Sequence, residues 1–200
     1  DKHFLFSQRV WFLTRTPSID GLTASGDNIW VEHNEGRIYR VKPRTNPAVN
    51  KWWISDEIRY GWEFVHGDDR LDSPRRMQYG TQVSCDWPRA CQDAATGLKG
   101  AANVALLVSP MLTCEEAYLL AKLARAVDED AILAVGPVPV EGEDKILPGG
   151  YTVYAEKCPN SRGVRRALQQ VAGPDGQVLD ADQLIEKLAD KDGGIDAVLL

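Results

Sequence analysis

The run VALLV at 104–108, followed by TCEEAYLLAKLARAV at 113–127, decides the class of fold. Uninterrupted apolar residues from Val104 to Val108 suit a strand covered on both faces. Thr113 and Glu116 have the spacing of a capping box, and Leu120, Leu123, Ala124 and Val127 recur as one helical stripe. A second strand is expected from Ala131 to Val135, a loop from Gly136 to Gly150 and a third strand from Tyr151 to Ala155. A helix beginning near Asn160 or Ser161 carries Val164, Ala167, Leu168 and Val171 on its apolar side. Another is expected from Asp180 to Gly193, and Ile195 to Leu200 reads as the last strand. Strands alternating with helices imply an α/β fold with parallel pairing and right-handed crossovers.

Towards the N-terminus the chain changes character. All six tryptophans, Trp11, Trp30, Trp52, Trp53, Trp62 and Trp87, lie in the first hundred residues, among frequent Gly, Pro and Asn. Basic and acidic residues nearly balance there, 14 against 13, whereas the second hundred holds 9 against 16. A compact, turn-rich module is expected, with its tryptophans packing it or facing neighbouring subunits. Asn28 to Asn34 and Gly36 to Pro43 read as a hairpin turning at Asn34-Glu35-Gly36. Ile29, Val31, Ile38 and Tyr39 are its candidate inner face, although Tyr39 is out of phase with Ile38, which leaves the register open. Ile54, Ile58 and Trp62 predict a short helix with Ser55 as N-cap. Leu71 to Gly100 has little periodicity and reads as a linker.

The chain has 200 residues, 44% of them hydrophobic and 26% charged, with a net charge of −6. That composition excludes a disordered, collagenous or coiled-coil chain. The acidic balance argues against nucleic-acid binding, and no apolar stretch approaches the roughly 18 residues of a membrane span. Cys85, Cys91, Cys114 and Cys158 are too few for a disulfide scaffold, which fits a reduced, intracellular compartment. Asp1 without a preceding Met, and an ending at Val198-Leu199-Leu200 like the middle of a buried strand, suggest a piece of something longer.

Most chemistry-bearing residues read as structural. Gly21 and Gly26 lack the Lys and Ser/Thr of a phosphate loop and have Asp27-Asn28 next, where a carboxylate would repel phosphate. His3, His33 and His66 are not spaced as a helical metal pair, and Cys85 and Cys91 lack companions for a zinc site. Asp68, Asp69 and Asp72 lack the alternating oxygens of a calcium loop and read as solvated. Arg37, Arg40, Lys42 and Arg44 are expected on a solvated or salt-bridged face.

One pattern stands above this background. Thr16-Pro17-Ser18-Ile19, Gly26-Asp27-Asn28-Ile29, His33-Asn34-Glu35-Gly36-Arg37-Ile38, Arg44-x-Asn46-Pro47-Ala48-Val49-Asn50 and Ser55-Asp56-x-x-Arg59-Tyr60-Gly61 resemble the iron-sulfur domain of the molybdopterin oxidoreductase superfamily. Within it, the likeness is to the large iron-sulfur subunit, of the 75 kDa type, of NADH:quinone oxidoreductase, complex I. Ser109-Pro110-Met111-Leu112-Thr113-x-Glu115-Glu116-Ala117 and Glu156-Lys157-Cys158-Pro159-Asn160-x-Arg162-Gly163-Val164 resemble the domain that follows it. The resemblance implies a small β-rich, degenerate 4Fe-4S-type module at 8–70, a linker at 71–100 and part of a Rossmann-like parallel α/β domain at 101–200.

Cluster-bearing members of this family place cysteines as C-x2-C-x3-C with a fourth about thirty residues on, since thiolates must surround the cube. The corresponding positions here hold Asp20, Thr23, Asp27 and Ser55. Oxygen ligands are harder than thiolates and hold such clusters poorly. Asp20 and Asp27 with Thr23 and Ser55 form at best a weak magnesium or calcium site, and local turn bonds by Ser18, Asp20 and Asp27 account better for the loop. No catalytic, cofactor-binding or metal residue is therefore expected, and no cofactor. The implied role is structural, within a cytoplasmic subunit peripheral to the inner membrane, with other subunits of an NADH dehydrogenase complex as partners. The alternative is part of an active molybdopterin-dependent oxidoreductase such as a formate dehydrogenase, with pterin contacts near Ser109-Pro110 or Gly136-Pro137. A free-standing binding module with an aromatic face is a third reading.

Overall fold

The computed structural model describes residues 4–190 and 194–200. Its strands are β1 (Thr14–Ile19), β2 (Asn28–Asn34), β3 (Arg37–Pro43), β4 (Arg75–Gln78), β5 (Thr81–Ser84), β6 (Val104–Val108), β7 (Ile132–Val135), β8 (Lys145–Leu147), β9 (Tyr151–Val153), β10 (Val178–Asp180) and β11 (Ala197–Leu199). Its α-helices are α1 (Asp56–Tyr60), α2 (Trp87–Leu98), α3 (Cys114–Val127), α4 (Ser161–Ala172) and α5 (Ala181–Ala189). The fold is mixed α/β, and the chain divides into two compact units. One takes residues 1–68 and 138–161, the other 69–137 and 162–200.

In the first unit β1, β2 and β3 form an antiparallel sheet in that order. The expected hairpin is present. Glu35 and Gly36 both have positive φ, 47° and 77°, as a two-residue loop matched to strand twist requires. Glu32 pairs with Arg40 and His33 with Ile38, so Tyr39 is the extra residue of a β-bulge. That bulge is why Tyr39 and Ile38 are out of phase in the sequence. Ile29 and Val41 pack with Ile54 and Ile58, and Trp62 and Val31 flank them. Ser55 caps α1 by accepting from the Ile58 N–H, and the chain continues as a 3-10 turn over Gly61–His66. Asn50, fully buried, ties the following loop to β2: its Nδ2 donates to the carbonyls of Asn28, Arg44 and Trp53.

Tyr151 to Ala155 is not a third parallel strand. Tyr151–Val153 pairs antiparallel with Lys145–Leu147, inside the stretch expected to be a loop, and this hairpin belongs to the first unit. Its shortness lets Tyr151 point into a buried polar setting, which a central parallel strand would not offer. The tryptophans divide between the two expected settings: Trp62 and Trp30 are half-buried, whereas Trp11, Trp52, Trp53 and Trp87 are exposed.

In the second unit the parallel sheet runs β10-β7-β6-β11. One face carries Val104, Leu106, Val108, Leu133 and Val135 against α3 and α4; the other carries Ala105, Ala134 and Leu179 against Leu184 of α5. The Thr113–Glu116 capping box is formed. The stripe of α3 is rotated from the expected one: Ala117, Ala121 and Ala124 are fully buried while Leu123 is half exposed. Alanines let the helix axis approach the sheet, and the leucines cover the flanks. Val164 and Leu168 are buried on α4 as expected.

Three further differences concern extent. The segment 71–100 is no bare linker, because β4 and β5 form a hairpin and α2 is capped by Asp86 accepting from the Arg89 N–H. The helix expected over Asp180–Gly193 is α5, preceded by the unforeseen β10; residues 191–193 of that expectation lie outside the described residues. The last strand is a sheet edge, with Val198 and Leu200 exposed, rather than a buried interior strand.

Candidate functional site

The loop joining β1 to β2 holds three of the four positions that the family resemblance singled out. It is closed at its base by the Asp20 N–H donating to the Asp27 carbonyl at 2.8 Å. Asp20 Oδ1 accepts from the Leu22 N–H at 2.8 Å, and Oδ2 accepts from the Thr23 N–H at 3.1 Å and from the Thr23 hydroxyl. The Thr23 hydroxyl oxygen in turn accepts from the Ser25 N–H. Such Asx and Ser/Thr turns satisfy amides that no sheet partner reaches. Gly26 supplies the φ of 64° at which the loop turns into β2.

Burial makes this loop unlike an ordinary surface turn. Asp20, Thr23 and Asp27 are 4%, 2% and 1% exposed. Desolvation raises the Asp20 carboxyl above its ordinary range, against the lowering effect of the Thr23 hydroxyl and the Leu22 and Thr23 amides. Asp27 is pushed up to about 6, first by burial and then by the Asp20 charge, against the lowering effect of its bond from Tyr151.

Asp27 does not make the expected local turn bond. Its Oδ2 accepts instead from the Tyr151 hydroxyl at 2.5 Å, a partner 124 residues away. Tyr151 is buried, and its own ionisation is pushed up by desolvation and by the adjacent carboxylate. The Ser55 main chain hydrogen-bonds the same side chain, and the Ala24 N–H donates to the Glu156 carbonyl at 3.2 Å. Sequence reasoning missed Tyr151. Nothing in its neighbourhood, read locally, distinguishes it from a strand tyrosine.

The other candidates are placed as structural groups. His66 Nε2 accepts from the Ile38 N–H at 2.9 Å, His33 Nε2 lies 2.9 Å from the Thr16 hydroxyl, and His3 lies outside the described residues. Asp68, Asp69 and Asp72 are exposed, and all four cysteines are free thiols. Of the basic run, Arg40 joins Arg15 on the buried Glu32. Burial alone would raise the Glu32 carboxyl, but these two guanidiniums outweigh it and hold it below the usual range. Ser18 sits exposed and caps nothing. In the second unit the Gly136 N–H donates to the Val108 carbonyl at 2.8 Å, and a Cβ there would lie 3.2 Å from that oxygen, so the glycine serves close packing. Among the described residues no group of three or more His, Cys, Asp or Glu is arranged to hold a metal ion.

A small sheet with a buried, polar β1–β2 loop and a Ser55-capped helix defines a class of module, and residues 13–63 match the family described as NADH-ubiquinone oxidoreductase NDSU1/NuoG-like, 4Fe-4S domain. The chain is 33% identical over 132 residues to the G subunit of the NADH-quinone oxidoreductase of Streptomyces coelicolor, a match covering 64% of this chain and 16% of that protein. It is 28% identical over 155 residues to the NADH-ubiquinone oxidoreductase 75 kDa subunit of Reclinomonas americana, covering 73% and 22%. The corresponding G subunit of Rickettsia felis is 28% identical over 124 residues, covering 61% and 18%. The chain is thus similar to the G or 75 kDa subunit of NADH-quinone oxidoreductases and matches about a fifth of those proteins' length.

The residues present do not fit the cluster for which that domain type is named. Asp20, Thr23, Asp27 and Ser55 are oxygen donors where thiolates would be needed. Their side chains are also engaged: Asp20 with Thr23, Asp27 with Tyr151, and Ser55 with the first turn of α1.

Proposed function

We propose that this chain is a structural and assembly part of a peripheral-arm subunit of an NADH:quinone oxidoreductase or a related NADH-linked complex, with no redox centre of its own. The observation that carries this reading is the ligand set: the matched 4Fe-4S-type domain presents two carboxylates and two hydroxyls, all committed to internal hydrogen bonds. Electron flow then runs through centres elsewhere in the complex. The second unit, read as part of a Rossmann-like domain, serves as scaffold; a layered α/β architecture does not by itself bring chemistry.

Partner subunits of the complex are the proposed binding partners. Trp11, Trp52 and Trp53, all exposed, support contact surfaces on the first unit, because large aromatics left in water are characteristic of interfaces. A position peripheral to the inner membrane, on the cytoplasmic side, follows from such an assembly. No described helix is long and apolar enough to cross a membrane.

Iron and acid-labile sulfide analysis of the chain expressed anaerobically tests the reading. The expected result is a colourless protein with no stoichiometric iron. A full complement of iron and sulfide, with the visible absorption of a cubane, overturns it.

A further inference from the structure

The geometry points to Tyr151 as an internal plug that fills the place of the lost cluster, supplied by a hairpin far along the chain. The inference rests on the reading that this chain carries no cluster and adds what took the cluster's place. Two of the four candidate ligand positions, Asp27 and Ser55, hydrogen-bond this one side chain, and a third, Asp20, acts on it by charge. Asp27 accepts the Tyr151 hydroxyl at 2.5 Å, the Ser55 main chain hydrogen-bonds it, and the Asp20 charge acts on both Tyr151 and Asp27. The fourth, Thr23, is bonded to Asp20. A cubane needs an inner space bounded by its ligands, whereas here a buried phenol bonds directly to two of the positions that would bound it.

The hairpin is anchored for this task. Tyr151 is 3% exposed, and the segment after β9 is tied to the loop through the Ala24 N–H and the Glu156 carbonyl. On the same segment, Lys157 Nζ donates at 2.8 Å to Glu57, in the first turn of α1 that Ser55 caps. Loss of thiolates alone would leave two buried acids around a void. A hydroxyl donor with a large apolar ring meets both demands, since it satisfies the Asp27 oxygen and fills the volume. The substitution of the ligands and the insertion of Tyr151 are thus two parts of one replacement, and restoring thiolates alone will not restore the site.

The test is anaerobic reconstitution with ferrous iron and sulfide of two forms of the full chain. With Asp20→Cys, Thr23→Cys, Asp27→Cys and Ser55→Cys but Tyr151 intact, fewer than about one chain in ten is expected to carry a cluster. Adding Tyr151→Ala is expected to raise loading at least about fivefold, towards four iron and four sulfide per chain. Equal loading of the two forms, or refusal by both while circular dichroism shows them folded, overturns the inference and leaves the proposed function standing. A cluster in the unaltered chain overturns the function itself.

A second measurement decides the matter if the altered chains do not fold. In the unaltered protein, the Tyr151 hydroxyl proton is expected as a slowly exchanging NMR resonance, absent in Tyr151→Phe, with cross-peaks to the Ser55 amide and to the loop 20–27. A hydroxyl exchanging at the rate of the exposed Tyr79 overturns the plug.

Discussion

Replacing Asp27 by Asn should remove a pH dependence that the buried loop builds into the first unit. The Asp27 carboxyl stands at about 6 against an ordinary 3.8, so the folded state favours its neutral form. The stabilisation from that protonation is fully present below the unfolded value and is lost as pH rises through the folded one. A difference of about two pH units corresponds to about 3 kcal/mol, spread between about pH 4 and pH 6. Asn is uncharged, keeps an oxygen to accept the Tyr151 hydroxyl and has nearly the same volume. The D27N chain should therefore match the wild type near pH 4 and exceed it by up to about 3 kcal/mol at pH 8. Asp20 acts on Asp27 by its charge and Tyr151 as a neutral hydrogen-bond donor, with Glu57 acting on Asp20. Asp20 shifts in the same direction, so part of the slope survives in the variant. Urea denaturation followed by tryptophan fluorescence across this range measures it, with Trp30 and Trp62 reporting on the first unit. Parallel pH profiles for the two proteins would show that burial does not hold Asp27 neutral, and the reasoning would fail.

Asn50→Ala removes a fully buried side chain that three part-buried carbonyls share as donor and should cost about 1–3 kcal/mol, read as a lower urea midpoint for the first unit. Leu168→Ala empties a fully buried position under the parallel sheet, and a loss of about 2–5 kcal/mol in the second unit is expected by thermal melting. Thr113→Ala removes one half of the α3 capping box and should cost about 1 kcal/mol, seen in the same melt. Lys157→Met, by contrast, breaks a partly exposed ion pair with Glu57 and should change the urea midpoint of the first unit by less than the equivalent of about 1 kcal/mol.

The elements most legible in the sequence are those whose signals are local. The apolar run at β6, the capping box of α3 and the turn at Glu35-Gly36 each depend on residues within a few positions of one another. The same holds for Asp20, Thr23, Asp27 and Ser55, oxygen-bearing residues at the spacing where the resembled family places cluster cysteines. The Tyr39 irregularity is legible as a phase error, but only the pairing of Glu32 with Arg40 and His33 with Ile38 shows it to be a bulge.

What a residue finally does at long range was decided by tertiary structure. Nothing near Tyr151 marks it as the partner of Asp27, because a buried carboxylate selects its hydrogen-bond donor from whatever the completed fold brings within reach, 124 residues away in this case. The assignment of 138–161 to the first unit is of the same kind, since a short strand such as β9 has a pattern compatible with either sheet and takes the one that buries its tyrosine. Sequence alone settled that oxygen-bearing side chains stand at 20, 23, 27 and 55. The packed chain determined which side chain meets Asp27, because satisfying a buried acid is a property of the assembled core.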